Sequence, residues 1–212
     1  MAIISKGILG GFSGKVGNVV GGNWRGIQYI RSLPKKVKRI PTLSQLEQRA
    51  KFTLAIGFLN KVKPAITLGF QNSGKDMSTP INEACRQFLK TSISGRFPVY
   101  GINYQQVQLS KGALPSLKQT NLKVVDGMLK LTWSFTNRRS EGDGDDQVIL
   151  VIYAVDRSVV ELVDTGTRKD GQVDFQISNE LAGREVAAWV FSYNRKAKVA
   201  SDSQFLGLTN LI

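Results

Sequence analysis

Histidine is absent from this 212-residue chain, and cysteine occurs once, at Cys85. Without imidazole there is no usual general base, no usual nitrogen ligand for a metal, and no side chain that ordinarily titrates near neutrality, so most hydrolase mechanisms lose their central residue. One cysteine excludes an intramolecular disulfide and any multi-cysteine zinc site, and the apolar periodicity around Cys85 marks it as a core residue. Long apolar runs are missing as well, because none reaches the roughly 18 residues that a membrane helix requires. At the N-terminus, Lys6 and Lys15 interrupt MAIISKGILGGFSGKVGNVV, which argues against a signal peptide and for a protein that is cytoplasmic on synthesis, with later incorporation into a phage-like particle or other assembly left open.

Acid is the scarcest commodity at the front of the chain. No Asp or Glu precedes Glu47, and residues 1–100 carry 16 Lys+Arg against 3 Asp+Glu, whereas residues 101–212 carry 13 of each. The formal net charge of +13 therefore belongs to the first hundred residues. A field of one sign draws anions and holds like surfaces apart, so the basic half is where a partner is to be sought.

That half changes character along its length. Glycines at 7, 10, 11, 14, 17, 21, 22 and 26 alternate with strand formers such as Val16, Val19, Val20, Ile27, Tyr29 and Ile30, and the pattern predicts a hairpin turning at Gly21-Gly22-Asn23. The basic connector SLPKKVKRIP follows, bracketed by Pro34 and Pro41, and reads as an extended arm. From Thr42 the period becomes helical: Leu46, Ala50, Leu54 and Phe58 recur every four residues, Phe52, Ala55 and Leu59 flank them, and Ser44 with Glu47 forms a candidate capping box. A second helix is predicted after Thr79, with Pro80 at its first position and Ile81, Ala84, Cys85, Phe88 and Leu89 on one side. Between the two, KPAITLGFQNSGKDMS reads as partly irregular.

Beyond Gly101 the pattern turns to strands. LKVVD, MLKLTWSFT, QVILVIYAV, SVVELVDTGT, QVDFQIS, EVAAWVFSYN and DSQFLGL are short, rich in β-branched and aromatic residues, and separated by turn residues. Trp133 and Trp189 sit inside such runs and are expected in the core. With Trp133 in the second run and Tyr153 in the third, residues 118–212 resemble a fibronectin type III or related immunoglobulin-like sandwich. The fold class is thus an α+β N-terminal part, a Gly-rich β-hairpin plus two helices over 1–114, followed by an all-β sandwich domain over 115–212.

A second resemblance runs nearly end to end. GKVGNVVGGNWRGIQYIRSLP, TLSQLEQRAKF and MSTPINEACRQFLKTSISGRFPVYGINYQQVQLSKGALP resemble an uncharacterised family of bacterial proteins of about this length, of the kind found in Bacteroidetes-type genomes. A looser opening motif, SG-x-[IV]-G, then W-[RK]-G-x-x-Y-[IV]-R, a Pro, T-x-x-Q and R-x-x-F, also resembles proteins of phages and prophages. Here it falls on Ser13, Gly14, Val16, Gly17, Trp24, Arg25, Gly26, Tyr29, Ile30, Arg31, Thr42, Gln45, Arg49 and Phe52. The resemblance implies a two-part protein with a tilt toward phage-like assembly and no established activity.

Motifs with known chemistry fare poorly. GFQNSGK over 69–75 fits the frame of a phosphate-binding loop, but Asp76 stands where a Ser or Thr must reach magnesium, and a carboxylate there repels phosphate. The acidic loop EGDGDD offers Asp143, Asp145 and Asp146 as oxygen ligands for calcium, yet it lacks the EF-hand frame and reads first as a solvated hairpin tip. A third role for it is a head-to-tail contact with the basic arm of a neighbouring subunit. The arm itself has two readings. Trp24, Arg25, Tyr29, Arg31, Lys35, Lys36, Lys38 and Arg39 either pack against protein or track a phosphate backbone with the aromatics stacked on bases. The sequence thus points to a non-enzymatic structural or assembly protein that self-associates, with nucleic-acid binding through residues 25–39 as the alternative, and it predicts no cofactor, membrane span or small-molecule substrate.

Overall fold

A computed structural model describes residues 2–3, 12–35, 40–72, 78–125, 127–136, 142–157 and 159–211. The chain divides into two compact units, Met1–Thr42 and Leu43–Ile212. In the first, strands β1 (Ala2–Ile3), β2 (Gly14–Val16), β3 (Val19–Trp24) and β4 (Ile27–Ser32) form an antiparallel sheet in the order β1-β4-β3-β2. The β3–β4 turn is Arg25-Gly26, both with positive φ (50° and 84°), and Asn23 Oδ1 accepts a hydrogen bond from the Gly26 amide at 3.0 Å. Two positive φ values are what a two-residue turn needs to match the twist of its strands. The turn expected at Gly21-Gly22-Asn23 is therefore displaced: these residues lie inside β3. In the two glycines the lack of a side chain serves close packing instead, since a Cβ on Gly21 would sit 2.6 Å from the Phe12 ring and one on Gly22 would sit 2.9 Å from the Tyr29 ring.

The second unit opens with helices α1 (Leu43–Lys61), α2 (Lys63–Gly69) and α3 (Pro80–Thr91). Helix α1 starts at Leu43, so Ser44 lies in its first turn instead of capping it. It ends where it does because Pro64 has no N–H to give the carbonyl four residues back, and the chain restarts one residue later as α2 within the stretch expected to be irregular. Helix α3 matches its prediction: the Thr79 side chain accepts from the Asn82 amide at 3.3 Å, and Pro80 takes the first position, where no donor is missed. The hairpin β5 (Ile93–Arg96) and β6 (Val99–Ile102) follows, unannounced by the sequence pattern.

All seven strand-like runs are strands: β7 (Lys118–Val125), β8 (Met128–Ser134), β9 (Gln147–Ala154), β10 (Val160–Thr167), β11 (Gln172–Gln176), β12 (Glu185–Asn194) and β14 (Gln204–Asn210), with β13 (Val199–Ala200) a short addition. They make two antiparallel sheets, β11-β8-β7 and β10-β9-β12, the latter extended by β14 and β13 on the far side of β12. Leu129, Leu131 and Trp133 of β8 meet Val148, Leu150, Ile152, Val186, Ala188 and Val190 between the sheets. The alternate residues of β9 and β12, among them Val151, Tyr153, Ala187, Trp189 and Phe191, pack instead with Ala55, Phe58, Leu59, Ile66 and Phe88 of the three helices. Strands covered on both faces must be apolar through their middle, and residues 148–154 of β9 and 186–191 of β12 are, with Gln147, Glu185 and Asn194 confined to the ends. Helices and sheet share one apolar cluster, so the compact units divide after Thr42, whereas the change in sequence character sets the break at 114/115.

Trp189 is fully buried, with ring centroids 5.5 Å from Phe205, 6.2 Å from Tyr104 and 6.3 Å from Phe58. Trp189→Ala is expected to cost about 3–5 kcal/mol in urea unfolding. Tyr104, in the single helical turn Tyr104–Gln106, has its hydroxyl pKa pushed up to about 12, first by burial and then by Tyr153 and Glu185. A phenol with a raised folded-state pKa keeps its proton more tightly in the folded state, so its contribution is complete below pH 10 and is lost as pH climbs from 10 to about 12. Thermal melts across that window should fall more steeply for the parent chain than for Tyr104→Phe.

Candidate functional site

The register of the N-terminal sheet assigns its side chains to faces. Val20 pairs with Arg31, Gly22 with Tyr29 and Trp24 with Ile27, while Lys15 lies opposite Val20 and Ile3 opposite Tyr29. Directly paired residues point to the same side of a sheet, and every second residue of a strand does too. Ile3, Lys15, Val20, Trp24, Ile27, Tyr29 and Arg31 therefore occupy one face, aromatic and aliphatic in the middle and cationic at one end. Trp24 is 50% exposed and Ile3 72% exposed. The Arg25 guanidinium lies 5.8 Å from the Trp24 ring centroid, a cation–π contact at the end of the same face.

Among the described residues of this unit only Gly21 is buried. The opposite face carries Val16, Val19, Gly21, Asn23, Gln28, Ile30 and Ser32, with Phe12 over Gly21. A four-stranded sheet of such short strands normally gains its stability by burying one face, and among the described residues of the unit Phe12 over Gly21 is the cover that the sheet receives. Edge strand β2 is exposed at all three residues.

Of the residues predicted from sequence, Trp24, Tyr29 and Arg31 come together on the mixed face and Arg25 joins them from the turn. Lys35 is exposed beyond the end of β4. Lys36, Lys38 and Arg39 lie outside the described residues, as do residues 73–75 of the phosphate-loop frame and Asp76 after it. The first glycine of that frame, Gly69, ends α2 against the backbone of Leu109 and Ser110, and a Cβ there would fall 2.7 Å from Ser110 Cα. Sequence reasoning missed Lys15, Ile3, Val20 and Ile27 as members of the face. Their signal was the two-residue spacing in VGGNW and IQYIR, but it becomes readable only once the turn is placed at Arg25-Gly26.

The acidic loop corrects a second expectation. Asp145 is exposed and forms an ion pair with Lys169 at 2.8 Å, which holds the Asp145 carboxyl below and the Lys169 ammonium above their usual ranges. Asp146 is no part of a solvated tip: it is 1% exposed, as is Arg168, and Arg168 Nε lies 3.3 Å from Asp146 Oδ2. Asn194 donates to Asp146 Oδ1 at 2.7 Å, the Asp143 amide donates to Asp146 Oδ2 at 3.1 Å, and Arg168 Nη2 donates to Ser192 Oγ and the Pro115 carbonyl. The Arg168 carbonyl in turn accepts from the Trp133 indole at 2.8 Å. Asp145 and Asp146 thus have cations of their own unit as partners. Among the described residues no group of three or more Asp, Glu, Cys or His side chains could hold a metal ion. Cys85 is buried, and burial pushes its thiol pKa up, away from thiolate chemistry. Among the described residues no helix is long and apolar enough to cross a membrane.

Residues 11–207 match the model of a family described as a family of unknown function (DUF6266). No curated protein matches the chain.

A buried ion pair that ties a loop, a single helical turn and a central strand together is costly to halve. Removing the guanidinium by Arg168→Met strands the Asp146 carboxylate, and a loss of about 3–5 kcal/mol is expected in chemical denaturation. The double replacement Arg168→Met with Asp146→Leu should recover part of that loss.

Proposed function

The chain belongs to this family of unknown function, and we propose that it is a non-enzymatic assembly protein whose N-terminal sheet packs its Trp24–Tyr29–Arg31 face against another subunit, leaving the sandwich to present a surface. The observation that carries this reading is a four-stranded sheet with apolar and aromatic residues on its surface and one buried residue among those described. Such a surface gains free energy by leaving water, and its cationic rim gives the contact orientation. The phage-like motif supports a place in a virion-like particle, because its first part builds this sheet: Gly17 and Gly26 sit in the turns, and Trp24, Tyr29 and Arg31 on the face, while Gln45, Arg49 and Phe52 fall on α1. We read the sandwich as fibronectin type III-like, supported by its division into three strands, β11-β8-β7, facing the β10-β9-β12-β14 sheet.

Nucleic-acid binding is the second reading, and one observation favours it: two aromatic rings and the cations Lys15 and Arg31 share one face, the composition of a base-stacking platform beside a phosphate track. The two readings separate by light scattering after size-exclusion chromatography at low and high salt, with and without single-stranded DNA. Assembly through the face predicts a particle larger than a monomer without DNA, shifted toward monomer by Trp24→Ala with Tyr29→Ala, with the subunit dissociation constant raised about tenfold or more. A monomer that binds DNA with a steep salt dependence establishes the second reading, and a monomer indifferent to DNA defeats both.

A further inference from the structure

Helix α1 is held along only part of its length. From Ala55 onward it contributes Ala55, Phe58 and Leu59 to the core, but from Leu43 to Thr53 no residue is buried, although Leu43 (62% exposed), Leu46 and Phe52 (50% exposed) lie in that stretch. Three helical turns in water gain little from their own hydrogen bonds, so a helix of this kind ordinarily owes its order to a covered face. At about 100° per residue, Leu43, Leu46, Ala50, Leu54 and Gly57 fall on one side of α1, turned away from Ala55 and Leu59. Beside them the hairpin β5–β6 supplies Pro98, Tyr100 and Ile102, leaving an open apolar groove along the helix.

The charges at its rim are unusual in their pairing. Glu47 and Lys51 have the spacing at which an acid and a base commonly pair on one helix. Lys51 Nζ lies instead over the Tyr100 ring, 5.2 Å from its centroid, and Glu47 has no ion pair among the described residues. The rim therefore offers an acid and a base, one turn apart, beside an apolar stripe with the small residues Ala50 and Gly57 in it.

We propose that this groove docks a second copy of the chain, α1 against α1, antiparallel about a two-fold axis near Ala50. In that arrangement Leu46 of each copy meets Leu54 of the other, Ala50 lets the helices approach closely, and Glu47 of each copy reaches Lys51 of the other. A two-fold contact repeats each pair twice, so one acid and one base on the same helix flank make the surface complementary to itself. An all-acidic or all-basic partner would leave one of the two charges opposed. The contact uses only the second unit and does not depend on the proposed role of the N-terminal sheet.

The test is sedimentation velocity of the full chain over a range of concentrations, carried out in the Trp24→Ala, Tyr29→Ala background so that association through the N-terminal sheet is not read as association through α1. A monomer–dimer equilibrium is expected. Glu47→Lys alone, or Lys51→Glu alone, should raise its dissociation constant about tenfold or more, since each puts two like-charge pairs into the contact. The double swap Glu47→Lys with Lys51→Glu should bring it back to within about threefold of the starting value. Melting temperatures of the single variants close to the parent's will separate loss of the contact from loss of the fold. A monomer at every concentration, or single swaps that the double swap does not rescue, overturns the proposal, whether the groove is then covered by another segment of the same chain or by a different protein.

Discussion

Strands β9 and β12 have to be covered on both faces, and the architecture of the second unit follows from that. Seven successive buried positions in β9 and eight in β12, with no solvent-facing polar row, leave no way to expose either side of the β10-β9-β12 sheet to water. The β11-β8-β7 sheet covers one side and the three helices cover the other. Trp189 and Phe58 make the second contact aromatic, and Tyr104 and Phe205 complete it. The helices consequently belong with the strands, despite being separated from them in sequence by a hairpin and a long irregular segment.

The first unit obeys the opposite rule. Its strands are short, its glycines are spent on turns and on close approach of Phe12 and Tyr29, and little is left to bury. Where a unit cannot satisfy its apolar residues internally, they become the means of recognising something else. The same logic applies to the first three turns of α1, which project apolar residues without a core beneath them. The proposed assembly rests on these two places where burial is incomplete, while Cys85 is buried and Asp145 and Asp146 are paired.

The legible parts of the chain were those governed by neighbours in sequence. Thr79-Pro80 announced α3 because capping is decided within four residues. The seven strand-like runs became seven strands because each is bounded by its own turn residues. The continuous apolar character of QVILVIYAV also held the signal of two-sided burial, although the run reads equally well as one strand of an ordinary sandwich. The candidate face was half legible: Trp24, Tyr29 and Arg31 stood out as aromatic and basic residues, but a turn placed at Gly21-Gly22 pairs the wrong residues. A one-residue change in register moves every side chain to the opposite face, so Lys15, Ile3, Val20 and Ile27 could not join them. Asp146 was illegible altogether, because its partner Arg168 is 22 positions away and nothing local distinguishes a buried aspartate from its exposed neighbours.

The sequence by itself determined α1, α3 and the seven C-terminal strands, the basic first half and the absence of imidazole chemistry, since each rests on composition or on contacts of short range. Only the tertiary structure decided that the helices share a core with the sandwich, that Asp145 and Asp146 pair with Lys169 and Arg168, and which residues share a face of the N-terminal sheet. These depend on pairings between distant segments, and a pairing is a property of two stretches of chain together: neither stretch records the register, the burial or the charge of the other until the fold brings them into contact.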